Sequence, residues 1–197
     1  DEKEMAYHPI DQFARWWEEA THSEIDEVNA MTLATATPGG LPSARIVLLK
    51  GFDQRGFIFF TNYESHKGRE LDHNPRASLI FFWKELERQV RIEGLVERLP
   101  SEESDAYFAS RPRGSQLGAW ASQQSTVIPD RAYLEKRMHD LEVAYQERPI
   151  PRPPHWGGFL VKPLNVEFWQ GRSSRLHDRI RYVLERGHNW AMQRLAP

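Results

Sequence analysis

The chain of 197 residues contains no cysteine, which removes disulfides, thiolate metal sites and cysteine nucleophiles together and favours an intracellular setting. It also lacks an apolar run long enough to cross a bilayer, and its opening DEKEMAYHP has neither the basic nor the apolar region of a signal peptide. A soluble, cytoplasmic protein that does not engage a membrane is expected. Strong charge of one sign is missing too: the formal net charge is -2, which gives no global attraction for nucleic acid and confines any anion site to a local cluster. There is no GxGxxG after a strand, no GxxxxGKS or GxxxxGKT, no HExxH and no GxSxG. Rossmann, Walker, zinc and serine-hydrolase sites are therefore not expected, and no metal is assigned.

What the chain holds in quantity is aromatic side chains, with 7 Trp and 10 Phe, enough for a core and a ring-binding pocket alike. The length fits a single domain over residues 1–197. Ile10, Phe13, Ala14 and Trp17 follow helical spacing, which predicts a first helix over about 9–21. Met31 to Thr37 and Ser43 to Lys50 read as a hairpin around Pro38-Gly39-Gly40, and Asp53 to Gly56 as a turn into a strand ending at Asn62. Ser65 opens a short helix that must stop before Pro75. Arg76 to Trp83 and Arg88 to Arg98 form a longer antiparallel pair, with Val90, Ile92 and Leu95 as core candidates.

Beyond that pair, Ser101 starts a helix that Pro112 must end, and Asp130 caps another whose stripe of Leu134, Met138, Leu141 and Tyr145 suits a core. Pro149 to Pro154 is an extended connector. Gly158 to Val161, Val166 to Gln170 and a strand near Trp190 to Arg194 complete a mainly β, α+β chain. The best architecture is a closed or nearly closed antiparallel barrel with helices packed around it.

Groups that bind anions and flat rings are densest in FWQGRSSRLHDR, Phe168 to Arg179. Read as a strand, this segment puts Arg175, His177 and Arg179 on one face, with Leu176 on the other. Such a face suits a phosphorylated aromatic ligand, although a solvated barrel face has the same composition. Thr61, Ser65, His66 and Lys67 combine hydroxyls, a helix N-terminus and a lysine, which can receive phosphate without a glycine loop. Tyr107 and Arg111 are four apart on a helix and, with Ser115, could form a phosphate clamp or an ordinary surface pair. Gln124 and Ser125 offer groups that read ring edges. Alternation along RIVLLK places Arg45 and Lys50 on opposite faces, so serving one phosphate would need a distorted strand end. Scattered basic, hydroxyl and amide groups of this kind favour a phosphorylated cofactor whose own ring does the chemistry.

The segments RIVLLKGF, FFTNYESHKGREL, NPRASLIFFW, ERQVRIEG, YFASRPRGSQLGAWAS, QSTVIP, WGGF, EFWQG and RLHDR, in this order and with RLAP at the end, resemble the pyridoxine (pyridoxamine) 5′-phosphate oxidase family from about Pro9 to Pro197. The resemblance implies an FMN-binding split barrel that forms a homodimer with flavin sites at the interface, its C-terminal strands over about 157–197 serving dimerisation and the active site. It implies FMN contacts from Arg45, Ile46, Val47, Leu48, Leu49 and Lys50, from Phe60, Thr61, His66 and Lys67, and from Gln89, Gln124, Ser125, Trp169 and Arg179. Substrate phosphate would be held by Lys50, Tyr107, Arg111 and Ser115. The pyridine ring would lie against Arg175, Leu176 and His177, with Arg175 and His177 in the catalytic roles. The implied reaction oxidises pyridoxine 5′-phosphate and pyridoxamine 5′-phosphate to pyridoxal 5′-phosphate, by hydride transfer from C4′ to flavin N5 with O2 reduced to H2O2. One departure stands out: relatives usually have arginine where this chain has His66, which replaces a permanent charge near the FMN phosphate with one that depends on pH. A different split-barrel flavin reductase and a non-catalytic vitamin B6 or flavin carrier are the alternatives.

Overall fold

The computed structural model describes residues 2–197. Helix α1 (Pro9–Thr21) begins as the spacing predicts, with Pro9 in the first turn and the His8 imidazole accepting the Ile10 amide at 3.2 Å. Its buried face includes Ile10, Phe13, Trp16 and Ala20, with Trp17 at the margin. Phe13 is fully buried and meets five rings, those of Trp17, Phe52, Phe57, Phe81 and Trp83, at centroid distances of 4.9–6.0 Å. The helix thus plugs an aromatic core inside the sheet that follows.

Strands β1 (Ala30–Ala36) and β2 (Pro42–Leu48) form the expected hairpin. A short β3 (Gly51–Asp53), absent from the sequence reading, pairs with β4 (Gly56–Asn62). Helix α2 (His66–His73) is capped by Ser65, whose hydroxyl accepts the Gly68 amide at 3.3 Å. Strands β5 (Arg76–Trp83) and β6 (Arg88–Arg98) make the long pair. Along β6 the buried positions are Val90, Ile92, Gly94 and Val96, so Leu95 faces outward and is not core. Alternation runs unbroken through Gly94, and Leu95 falls on the wrong parity.

Helices α3 (Ser101–Ser110), α4 (Arg113–Ala121) and α5 (Arg131–Tyr145) follow. The polar composition of the stretch around Gln116 hid α4, which Pro112 precedes and which buries only Leu117 and Ala121. Helix α5 starts at Asp130, whose carboxylate accepts the Tyr133 amide at 2.8 Å. Its apolar stripe is not core: no residue of α5 is buried, and Met138, Leu141 and Tyr145 half-cover a small cluster of Phe108, Leu117, Ile150 and Trp156.

The strands expected at 158–161 and 166–170 are one strand, β7 (Trp156–Gln170), which runs through Pro163. A proline can sit there because the β6–β7 register shifts between Glu93 and Gly94, leaving Leu164 as an extra residue at a bulge where no ladder bond is required. Gly94 permits the close approach, since a Cβ on it would lie 2.2 Å from the Lys162 carbonyl oxygen. Strands β8 (Asp178–Leu184) and β9 (Trp190–Leu195) complete one antiparallel sheet.

Its main path is β2-β1-β5-β6-β7-β4-β3, with β8 and β9 branching from β7. The ends of that path, β2 and β3, are consecutive in the chain, so the sheet curls until they meet. At that corner the Leu49 amide donates to Asn29 O and the Lys50 amide to Ile58 O, at 2.8 and 2.9 Å. The result is the antiparallel split barrel with packed helices that the sequence suggested. No helix among the described residues is long and apolar enough to cross a membrane.

Replacing Phe13 with alanine removes the ring on which the others converge. It is expected to cost about 3–5 kcal/mol, measured by denaturant unfolding; a loss below about 1 kcal/mol would show that the core closes over the gap.

Candidate active site

Two cavities flank the barrel corner where β2, β4 and α2 converge. The first, of about 530 Å³, is walled by β2 from Arg45 to Leu48, by Lys50, by Phe60 and Thr61 of β4, by His66 and Lys67 of α2, and by Gln124 and Ser125. Leu49 is absent from this wall, because it points into the core, where it is 4 % exposed. Lys67 is buried on the first turn of α2, its ammonium 3.4 Å from the Thr61 hydroxyl and 3.5 Å from that of Ser65. No carboxylate among the described residues lies within ion-pair distance of it. Burial, and after it the neighbouring Arg45 charge, pulls this ammonium below the usual lysine range.

Arg45 is held in place by Leu33 O at 3.2 Å and by the hydroxyls of Thr35 and Ser43, each at 2.5 Å. Buried Glu70 accepts from those same two hydroxyls at 2.5 and 2.7 Å and lies 3.6 Å from both Arg45 and His66. Burial alone would raise the Glu70 carboxyl; the two hydroxyl bonds and the His66 and Arg45 charges hold it below the usual range. Glu70 is thus the support for Arg45, and the sequence reading missed it. A glutamate inside a helix named by its serine cap carries no signal of what it faces. The Ser125 hydroxyl accepts the His66 amide at 3.2 Å, and Thr61 bonds Gln124 at 3.4 Å. The segment 124–125 is therefore tied to the N-terminus of α2.

The second cavity, of about 410 Å³, shares Lys50, Phe60, Thr61 and Gln124 with the first and adds Tyr107, Arg111, Ser115 and Trp156. The helical spacing of Tyr107 and Arg111 does bring them to one wall, and Ser115 joins them from α4. Lys50 reaches both cavities because it lies past the end of β2, at the corner, where strand alternation no longer applies. Phe60 and Tyr107 stack at 3.9 Å, and the Arg111 guanidinium sits 4.5 Å over the Trp156 ring. Arg111 Nη1 is buried without a hydrogen-bond partner, and burial draws this guanidinium below its usual range. A desolvated cation with an open donor is a site for an anion.

The C-terminal candidates lie elsewhere. Trp169 pairs with Gln89 on one side and Arg179 on the other, eleven positions along β7 from Gly158, the partner of Phe60. That is about 35 Å of strand, and neither cavity takes a wall residue from this group. The expected single face of Arg175, His177 and Arg179 is also corrected. Ser173–Arg175 is a 3-10 turn in which Ser174 and Arg175 have φ of 57° and 61°, and the strand starts only at Asp178. Left-handed residues break the alternation the reading relied on. His177 nevertheless packs on Trp169 at 4.7 Å, and its Nδ1 accepts the Arg172 amide at 3.1 Å. Arg179 is paired with Glu167 at 2.8 Å, while Arg175 and Leu176 are exposed.

The curled antiparallel sheet and its corner lined by basic groups define a split-barrel protein of the flavin-binding type. A solved FMN-binding protein related to pyridoxamine 5′-phosphate oxidase, from Nostoc punctiforme, shares this fold with a TM-score of 0.77 at 18% identity, covering 98% of this chain and 100% of its own. The family model for pyridoxamine 5′-phosphate oxidase matches residues 17–144, and that for the pyridoxine 5′-phosphate oxidase C-terminal dimerisation region matches residues 156–197. The chain belongs to the pyridoxine/pyridoxamine 5′-phosphate oxidase family. It is 60% identical over 189 residues to the enzyme so named from Rubrobacter xylanophilus, covering 96% of this chain and 87% of that one. Crystalline PhzG from Burkholderia lata, in complex with tetrahydrophenazine-1-carboxylic acid, superposes with a TM-score of 0.94 at 34% identity over 99% of this chain and 95% of its own.

The first cavity fits FMN on its own chemistry: a buried ammonium without an acid partner and a helix N-terminus for the phosphate, beside an open strand edge and Gln124 for the ring. Lys67→Met is expected to lower FMN affinity by at least about tenfold, the worth of one charge-assisted hydrogen bond, and to leave the melting temperature of the flavin-free protein unchanged or raised. An equal loss of apo stability would mean that Lys67 serves the fold instead.

Proposed function

We propose that the protein oxidises pyridoxine 5′-phosphate and pyridoxamine 5′-phosphate to pyridoxal 5′-phosphate, with FMN, as a cytoplasmic homodimer of single-domain chains. The observation that carries this is the pair of adjoining anion cavities sharing Lys50, Phe60, Thr61 and Gln124, one for each of two phosphorylated rings. When bound, FMN would supply the two-electron acceptor for a hydride from substrate C4′, with O2 as the final acceptor giving H2O2; the alcohol then yields the aldehyde directly, whereas the amine yields an imine that water hydrolyses with release of ammonia.

The chain's own groups bind and align. Lys67, His66 and Arg45 would hold the FMN phosphate, the backbone from Ile46 to Leu48 would run beside the ring, and Gln124 and Ser125 would close over it. Lys50, Tyr107, Arg111 and Ser115 would clamp the substrate phosphate. Gln89, Trp169, Arg175, Leu176, His177 and Arg179 would come from the second copy, since within one chain they lie at the far end of β7. A two-fold dimer then makes two complete sites from four half-sites.

Because His177 Nδ1 accepts the Arg172 amide, a neutral ring carries its proton on Nε2 and can donate to a polar substituent of the pyridine. Among the described residues the exposed Arg175 side chain makes no ion pair or hydrogen bond, which leaves it to cover the substrate ring. Alignment of this kind can supply about 7–11 kcal/mol of the barrier, so no strong base is required.

Aerobic assay of the FMN-loaded protein with either substrate should yield pyridoxal 5′-phosphate and peroxide in equal amounts. Flavin binding without either product would leave a carrier. Arg175→Ala is expected to lower kcat/KM about a hundredfold while retaining FMN; equal loss of both would contradict that division of labour. Mixing Arg111→Ala with Arg175→Ala chains tests the shared site. Random pairing should restore up to about a quarter of wild-type activity, because half the dimers then hold one intact site, whereas sites confined to single chains would show no recovery.

A further inference from the structure

Trp156 opens β7, is buried, and lines the second cavity. Three near-parallel rings meet there: Trp156 lies 5.5 Å from Phe60 at 12° and 6.2 Å from Tyr107 at 7°. Phe108 closes the group edge-on at 5.3 Å, and the Arg111 guanidinium rests on the Trp156 face. Among the described residues no carboxylate is within ion-pair distance of Arg111, and its Nη1 has no acceptor. What orients this guanidinium is therefore ring contact and its place at the end of α3, where its amide donates to Phe108 O at 3.2 Å.

We infer that Trp156 is a positioning residue for the substrate phosphate, holding Arg111 by its ring face and Tyr107 through the shared stack with Phe60, so that the clamp is formed before the anion arrives. This rests on the phosphate-clamp reading above and extends it. An acidic partner could have oriented Arg111 equally well, but it would have neutralised the charge the phosphate needs. An indole face attracts the cation while leaving its N–H edge open. The glycine after next serves the same stack. Gly158 lies opposite Phe60, and a Cβ on it would come within 2.8 Å of the Phe60 ring and 2.4 Å of Leu99. A side chain there would have to push Leu99 or the Phe60 ring aside, and so disturb the contact of Phe60 with Trp156. The stack thereby links the strand lining the first cavity to the helix end lining the second.

The test is direct titration of the FMN-loaded protein with pyridoxal 5′-phosphate and, separately, with pyridoxal, read from the flavin spectrum, which requires no turnover. In Trp156→Leu the phosphorylated ligand should bind about tenfold more weakly, about 1.4 kcal/mol, with pyridoxal unchanged. Trp156→Phe keeps a ring with a weaker quadrupole and should lose only about two- to threefold. Gly158→Ala should lower the preference for the phosphorylated ligand while Trp156 stays in place. Equal weakening of both ligands in Trp156→Leu, or no change in either, would overturn the inference. Should the leucine variant fail to retain flavin, an undiminished phosphate preference in both Trp156→Phe and Gly158→Ala would overturn it, and a diminished one in either would support it. The oxidase reading fails separately: wild-type protein that prefers the phosphorylated ligand but forms no product would leave Trp156 in its role and remove only the reaction.

Discussion

Strand β7 is the constraint on which everything else hangs. It bonds to β6 along one edge for nearly its whole length, and along the other to β4 over its first half and β8 over its second. Fifteen residues with both edges occupied cannot shift register without turning every side chain to the opposite face. That rigidity fixes Phe60 against Gly158 at one end and Gln89, Trp169 and Arg179 side by side at the other. The price is a proline and a register shift in the middle, absorbed at one bulge opposite Gly94. Because its two ends are so far apart, one chain cannot bring both groups of residues to a single ligand, and on the proposed function the symmetry of a dimer is the economical way to join them.

The first of these groups is built on unmet charge. Lys67 and Arg111 are both drawn out of water and, among the described residues, have no acid beside them, a state that costs stability and that an anion relieves. Arg45 differs, since Glu70 lies behind it with Thr35 and Ser43 between them. The distinction has a purpose in this geometry. Glu70 faces the inner side of Arg45 and His66, so it restrains both while the cavity side stays cationic. On the proposed function, an acid placed beside Lys67 or Arg111 would occupy the donors that the two phosphates require. The protein therefore uses hydroxyls for Lys67 and ring faces for Arg111, groups that orient a charge without cancelling it.

How much of this was readable from the residues depends on how local the determinant is. Helix α1, the Ser65 cap, the β1–β2 hairpin, the β5–β6 pair and the Tyr107–Arg111 neighbours all follow from spacings of two to four residues or from a single capping side chain. Features set by distant partners were not readable in that way. Pro163 reads as a strand breaker until its partner Gly94 and the register shift are known. The stripe on α5 is helical and apolar, yet it caps a satellite cluster and not the barrel, because periodicity tells which face is apolar and not what lies opposite. Arg175 and His177 were placed on a regular strand, and the left-handed residues Ser174 and Arg175 displaced them. The family motifs supplied the assignments to flavin and substrate, which no spacing in the chain could have separated from ordinary surface chemistry.

Phe60 shows why the two cavities belong to one device. It lines both cavities, stacks on Tyr107, and has as its strand partner a glycine on which a Cβ would press against the Phe60 ring. A displacement of β4 that followed the first ligand would therefore move Tyr107, and with it the clamp for the second. Lys50 adds a second link of a different kind, since it sits where the sheet passes from β2 to β3 and belongs to neither ladder alone. Backbone bonds to Asn29 and Ile58 on either side of this corner pin it between the two halves of the barrel. A stacked ring and a pinned corner transmit position and not charge. That suits the proposed function, in which the site holds one ring over another at fixed distance and a fraction of an ångström matters more than an added proton donor.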